Sequence, residues 1–389
     1  MKPNLYLDYA ATTPLDPRVA EAMAPYLAQE FGNPSSIHRF GQKAEAALES
    51  SRDRIARVLG CDPQEIYFTS GGTESDNLAL RGTALAARTR RGANHILVSA
   101  IEHPAVLRTA EDLSRNHNFE VEILPVDGVG KVDLKNLEGR IRSDTAIVSI
   151  MYANNEIGTI NQVPEIGLLC KSLGVPFHTD AVQAAAYLPI NVTQLNVDMV
   201  SLGAHKFYGP KGVGVLYVKK GTPISPVQTG GGQEGGMRAG TQNIPYIVGM
   251  AEALELANEE RTMRQSQVLP MRDRIIGHVL EEIPESRLTG HPSARMPNHA
   301  SFVFKDIDGN ELLMVLDAAG YACSSGSACK TGNPEPSGVL LALGLSPNWA
   351  LGSLRITLGS HTYPSEVDLF LSDLPGLVYR ARNLRRNDI

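Results

Sequence analysis

The chain has 389 residues, long enough for more than one domain, and its 42% hydrophobic and 20% charged content is that of an ordinary globular protein. A formal net charge of -6 argues against a polyanion held by bulk electrostatics, so no direct nucleic-acid partner is expected. No apolar run is long enough to span a bilayer and MKPNLYLDYAATTP lacks a secretion signal's apolar core, which predicts a cytoplasmic protein without membrane contact.

From about residue 60 to 220, β-branched apolar runs alternate with helical patterns. EIYFTS, HILVSA, VEILPV, TAIVSIMYA, VPFHTD and VDMVSL read as strands, while SDNLALRGTALAARTR and PEIGLLCKSLG carry apolar residues at helical spacing. That alternation predicts an α/β unit with a mainly parallel sheet covered on both faces. The glycine-dense QTGGGQEGGMRAGTQN (228–243) is too irregular for a strand or helix. One long helical pattern then runs from about Ile247 towards Leu280. Short strands such as ASFVF and SLRITL follow between helices, the texture of a second, smaller α+β domain.

Ligands of open parallel sheets bind beyond the carboxyl ends of the strands, and polar residues recur there. GGTESDN follows EIYFTS and opens a helix, so Gly72, the Thr73 hydroxyl and free helix N–H groups suit an anion. Thr73 or Ser75 would serve equally as a plain N-cap. No GxGxxG follows a strand and GxxxxGK[ST] is absent, so dinucleotide and P-loop readings lose their main support. His103 follows HILVSA, Asn154 and Asn155 follow SIMYA, Asp180 and Gln183 follow VPFHT, and SLGAHKFYGPKGVG (201–214) sets His205 and Lys206 just after VDMVSL.

Each of these is singly also explained as a satisfied strand-end cap. Together they supply what pyridoxal 5'-phosphate needs: a Schiff-base lysine, an acid for the pyridinium nitrogen and a phosphate site. Lys206 is the Schiff-base candidate, and such a lysine needs a partly desolvated, cationic surrounding. Asp180 would keep the pyridine nitrogen protonated, His103 would stack on the ring and relay protons, and Gln183 and Asn155 would bond the ring hydroxyl.

The four cysteines, Cys61, Cys170, Cys323 and Cys329, are too few for a disulfide scaffold, and reduced thiols are expected. Cys61 and Cys170 sit in apolar company and fit a packing role. In GYACSSGSACKTGNPEP, Cys329 lies among small polar residues that predict a loop, and Cys323 on the strand leading into it. Their spacing is not a zinc pattern and no His pair accompanies them, so no metal is expected. A regulatory Cys323–Cys329 disulfide has no direct support. Cys329 is the candidate nucleophile, and Lys330 either assists it or is a solvated neighbour.

GGTESDN, IEHPAV, NNEIGT, HTDAVQ, AHKFYGPKG, RAGTQN and SSGSAC, in this order, resemble the motifs of cysteine desulfurases of the NifS/IscS type. These are class V aminotransferase-group, fold-type I pyridoxal-phosphate enzymes. The resemblance runs from YLDYAATTP (6–14) to LRITLGSHT (354–362). It implies conversion of L-cysteine to L-alanine with the sulfur held as a persulfide on Cys329, then passed to an acceptor such as an iron–sulfur scaffold or a tRNA-thiolation protein. It implies the same roles for Lys206, Asp180, Gln183, Asn155 and His103, with Thr73 and His205 at the phosphate and Thr241 reaching the phosphate of the other subunit of a homodimer. Asn33 and Arg355, beside Asn155, match positions that hold the substrate carboxylate, although a surface salt bridge would explain Arg355 as well.

The resemblance also implies a large cofactor domain over 16–260 and a small domain built from 1–15 and 261–389, which carries the Cys329 loop. The chain departs from the pattern in two places. Gly203 stands where the family usually has serine, and QEGG where an arginine often follows the glutamate. The chain also ends at RNLRRNDI, short of the longer tail with which some relatives dock their scaffold. A selenocysteine lyase would share these features, an aminotransferase would have no use for Cys329, and a non-catalytic relay protein would not need Lys206, Asp180 and His103 together.

Overall fold

The computed structural model describes residues 4–326 and 335–386. Its strands are β1 (Leu5–Tyr6), β2 (Ile66–Thr69), β3 (His95–Ser99), β4 (Glu120–Leu124), β5 (Thr145–Ser149), β6 (Phe177–Asp180), β7 (Met199–Gly203), β8 (Gly214–Val218), β9 (Ser286–Leu288), β10 (His299–Phe304), β11 (Tyr321–Ala322) and β12 (Ser353–Thr357). A seven-stranded sheet has the order β2-β8-β7-β6-β5-β3-β4, parallel except for β8, which runs antiparallel to β2 and β7. The chain is thus α/β with a mainly parallel sheet, as expected.

Every residue of β3, β5, β7 and β8 is buried, because helices cover both faces; the edge strand β4 buries only Leu124 fully. Helix Gly72–Arg91 packs across β5, β7 and β8. Polar side chains inside the sheet are satisfied sideways. Ser149 Oγ lies 2.8 Å from His178 Nδ1, and Ser201 Oγ 2.9 Å from His178 Nε2.

Two features differ from the sequence reading. β8 was not expected: GVLYV follows β7 after the turn 204–213 with no crossover helix, so it returns antiparallel. The helical pattern after Ile247 is two helices, Ile244–Glu259 and Arg261–Glu282. Glu260 leaves helical geometry (φ -90°, ψ 4°), and its carboxylate accepts from Arg18 at 2.5 Å and Arg264 at 2.8 Å.

The C-terminal part forms an antiparallel sheet β12-β10-β9, and β1 pairs in parallel with β11. An apolar seam joins the two parts, with Ile101, Met151 and Ile157 packed against Val303, Val339, Leu340 and Ala350. The N-terminal segment crosses between them: Asp8 bridges to Thr357, and Thr13 N–H reaches the His205 carbonyl at 2.9 Å. Among the described residues, no helix is long and apolar enough to cross a membrane.

Candidate active site

Lys206 closes a single 3-10 turn, Ala204–Lys206, at the carboxyl end of β7. Two residues later Tyr208 has φ 67°, which a bulky side chain adopts only when held there. Its N–H donates to Thr13 Oγ1 at 2.7 Å, its hydroxyl accepts from Ser360 N at 2.9 Å, and the Arg264 guanidinium lies over its ring. The turn is therefore pinned from both ends of the chain. Lys206 Nζ donates to the carbonyls of Ala10 (2.6 Å) and Ala11 (2.7 Å). Burial, helped by the Arg355 charge and opposed by Asp180 and Asp8, lowers its pKa to about 8.

Lys206 lines a cavity of about 350 Å³ at the carboxyl edge of the sheet, together with Gly72, Thr73, His103, Asn155, Asp180, Gln183, His205 and Arg355. The strand-end residues picked out from the sequence thus converge, as the parallel topology requires, with the exception of Asn154, which is fully buried and holds its own turn through the Ile101 carbonyl and the Glu156 and Ile157 N–H groups. Asn33 does not join them: it is exposed, and its side chain caps its own turn through Ser35 N at 2.9 Å. Thr241 is exposed on the glycine-rich segment, away from this cavity. Cys329 and Lys330 lie outside the described residues.

Asp180 is only 6% exposed, and its Oδ1 accepts from Val182 N at 2.9 Å. Burial raises its pKa, while that N–H and the charges of His103 and Lys206 oppose the rise. His103 is the N-cap of helix Pro104–His117, its Nδ1 accepting from Ala105 N at 3.1 Å. This leaves Nε2 to carry the proton of the neutral ring, and burial keeps the ring neutral by lowering its pKa. His205, held at Nδ1 by Thr12 Oγ1 (3.1 Å), is lowered to about 4 by burial and by Lys206 and Lys211. Gln183 Nε2 donates to the Ala10 carbonyl at 2.9 Å. Arg355, 7% exposed on β12, donates through Nη1 to the Asn155 carbonyl (3.0 Å) and through Nη2 to Asp8 Oδ1 (2.7 Å).

The anion cradle is a backbone feature. Helix Gly72–Arg91 starts without a side-chain cap, so its first N–H groups stay free at the cavity. A Cβ on Gly72 would lie 2.6 Å from Val182 Cγ2, so the segment just after β6 passes too close to this helix start for a side chain there without a shift. A Cβ on Gly203 would lie 3.3 Å from the Gly72 nitrogen, so a serine there would be aimed at the cradle. The glycine-rich segment is fastened beside it. Buried Glu234 pairs with Arg52 through contacts of 2.9 and 3.0 Å and accepts from Phe68 N, while Arg238 pairs with Glu74 at 2.7 Å.

Two buried acids escaped the sequence reading. Asp76, 1% exposed, lines the cavity with one oxygen unpartnered, 3.7 Å from His178 Nε2. Its place three and four residues after Thr73 and Gly72 puts it on the same helix face, a spacing that would have found it. Glu102 accepts from Ser99 Oγ and from Met151 N, while its other oxygen has no partner. Burial lifts Glu102 to about 8.

An acid raised on folding binds its proton more tightly in the folded state, so stability falls as pH climbs from its unfolded value, ~4.3, towards 8. Replacing Glu102 by Gln should remove this slope, whose limit is ~1.4 kcal/mol per pH unit. Urea midpoints at pH 5 and pH 8 should separate more in the parent than in the variant; equal separations would place the titration elsewhere.

The described thiols are poor nucleophiles. Burial and neighbouring carboxylates push Cys61 and Cys170 up to about 12, and Cys323, beside Asp8, still further, with Arg355 opposing.

An uncapped helix N-terminus, a lysine with a lowered pKa, a buried carboxylate and a neutral imidazole around one cavity fit a planar, phosphate-bearing cofactor of the pyridoxal type. The profile of the aminotransferase class-V family matches residues 5–370. The chain is 45% identical to a cysteine desulfurase IscS of Dictyoglomus turgidum, covering 99% of this chain and 97% of that protein. It is 47% identical to a cysteine desulfurase IscS of Methanosarcina thermophila over 98% of this chain and 93% of the other. A solved NifS-like protein superposes with a TM-score of 0.90 at 38% identity, over 97% of this chain and all of that one.

Proposed function

The chain belongs to the class-V aminotransferase family, and from that premise we propose that it is a pyridoxal 5'-phosphate-dependent cysteine desulfurase. The observation that carries the reading is the convergence of Lys206, Asp180, His103 and an uncapped helix N-terminus on one cavity. When bound, pyridoxal phosphate would draw electrons from the substrate's Cα and so make its C–H and neighbouring C–S bonds labile.

The chain's own groups would do the rest. Gly72, Thr73 and His205 would hold the phosphate, Asp180 the ring nitrogen, and Asn155 and Gln183 the ring oxygen. Arg355 would receive the substrate carboxylate, for which a buried guanidinium suits a bidentate contact. The Lys206 amine, lowered to about 8, is the free base in a far larger fraction at neutral pH than an ordinary lysine, and that form would take the Cα proton. His103, neutral with its proton on Nε2, would relay protons. The Cys329 thiolate would attack the substrate sulfur. An S–S bond forms as the Cβ–S bond breaks, leaving a persulfide on Cys329 and, after protonation at carbon, L-alanine.

The persulfide requires an acceptor, for which an iron–sulfur scaffold or a tRNA-thiolation protein is the class in view. The same reading divides the chain into a large domain, 16–260, and a small one, 1–15 with 261–389. Packing of helix Arg261–Glu282 against β9, β10 and helix Pro364–Arg386 supports it.

A homodimer is part of the reading, with Thr241 and Asn33 serving the neighbouring subunit's cavity. Exposed apolar residues beside Asn33 support this: Leu27, Phe31, Phe40 and Ile37, the last 92% exposed. Sedimentation equilibrium should give the mass of two chains, and replacing Ile37 by Asp should shift it towards one with loss of bound cofactor. A monomeric parent would end the dimer reading.

The activity is tested by supplying cofactor-loaded protein with L-cysteine and a thiol reductant. Sulfide and L-alanine should appear in equal amounts. Pyruvate and ammonia in place of alanine would make it a lyase, and turnover of selenocysteine alone a selenocysteine lyase.

A further inference from the structure

The Arg355 guanidinium is fixed from two sides: Nη1 donates to the Asn155 carbonyl at 3.0 Å and Nη2 to Asp8 Oδ1 at 2.7 Å. Its Nε is buried and has no hydrogen-bond partner. Nε and Nη2 form one edge of the guanidinium, the edge that a carboxylate grips with two parallel bonds. Asp8 reaches only half of that edge. It is 18% exposed at the side chain and sits where β1 leads into the segment crossing the cavity. Because Nε is closed off from solvent, an incoming carboxylate gains the full edge only as Asp8 gives way.

We propose that Asp8 is a built-in stand-in for the substrate's carboxylate on Arg355, and that binding of an α-amino acid exchanges this internal carboxylate for the ligand's own. The inference rests on the reading of Arg355 as the carboxylate site. Asp8 keeps a buried cation paired and correctly turned before substrate arrives, since an unpaired charge there would be costly. In exchange it weakens every ligand that must displace it. Selectivity follows: only a ligand with a carboxylate able to span Nε and Nη2 outcompetes a one-point internal contact. An amine lacking the carboxylate gains nothing from Asp8's departure.

The test uses the full chain loaded with pyridoxal 5'-phosphate, following the change in its visible absorption on titration with L-alanine and, separately, with cysteamine. Asp8→Asn keeps the size and one acceptor oxygen but removes the charge. It should tighten L-alanine by roughly 3- to 10-fold, the scale of one weakened competing ion pair, and leave cysteamine within about a factor of 2. Arg355→Leu should weaken L-alanine and not cysteamine. Should Asp8→Asn fail to load cofactor, Asp8→Ser makes the same removal.

If Arg355→Leu weakens L-alanine but removal of Asp8 leaves it unchanged or weaker, Asp8 is a support for Arg355 and the exchange is wrong. Equal shifts for both ligands on removing Asp8 also overturn it. If Arg355→Leu binds L-alanine as tightly as the parent, the carboxylate reading of Arg355 itself falls, and the inference with it.

Discussion

Lys206→Ala should abolish sulfide release from L-cysteine, lowering turnover by ~10³-fold or more, the scale on which acid–base and covalent groups act. The expectation rests on the absence of a substitute. Lys206 is the one lysine lining the cavity among the described residues, and the nearby Lys211 is exposed. Its Nζ is desolvated and lies beside Arg355, which together lower its pKa to about 8. Lys206→Arg should be as inactive, because a guanidinium stays protonated and cannot take the Cα proton. Parallel measurement of bound cofactor separates loss of chemistry from loss of binding, since the uncapped helix start at Gly72 and the Asp180 carboxylate are untouched. A Lys206→Ala protein releasing sulfide at a tenth of the parent rate would remove Lys206 from the mechanism.

Cys329→Ser should be the second most damaging change, again by ~10³-fold or more in sulfide release, as for loss of a covalent nucleophile. Here the described thiols argue by contrast. Cys61, Cys170 and Cys323 are all raised by burial, so none offers a thiolate near neutral pH. Cys61→Ala and Cys170→Ala should therefore keep the parent rate within about threefold, well under 1 kcal/mol. The distinguishing result is in binding. Cys329→Ser should still bind L-alanine with the parent's spectral change, because the serine replaces only the sulfur acceptor. Sulfide release at the parent rate from Cys329→Ser would mean elimination without a persulfide.

The residues legible in the sequence are those whose position follows from local pattern. Asp180 and Lys206 end apolar runs, and a parallel sheet gathers such ends at one edge. Gly72 and Thr73 open a helix straight after a strand. β8 was missed because GVLYV is short and follows a turn, so nothing in its own pattern announces that it returns antiparallel beside β7. Asp8 was missed for a different reason: its partner lies 347 positions away, and no periodicity reports such a contact. Asn33 and Thr241 came from resemblance alone, and within a single chain both stay outside the cavity. Glu234 was visible in QEGG, yet its ion pair with Arg52 depends on packing that neither local segment reveals.

The segment that crosses from Asp8 to Thr13 has a consequence for synthesis on the ribosome. All seven strands of the large sheet have been made by Val218, so the strand ends, Lys206 and the cradle can assemble early. The pocket cannot be finished then. Ala10 N–H waits for Thr357 Oγ1, Asp8 for Arg355, and Tyr208 for the Ser360 amide. During that interval Thr13, Ala10 and Ala11 can already meet His205, Gln183 and Lys206, but Asp8 has no cation to pair with and the Arg355 side of the pocket is missing. The pocket is therefore complete only when the last strand reaches back to the N-terminal segment.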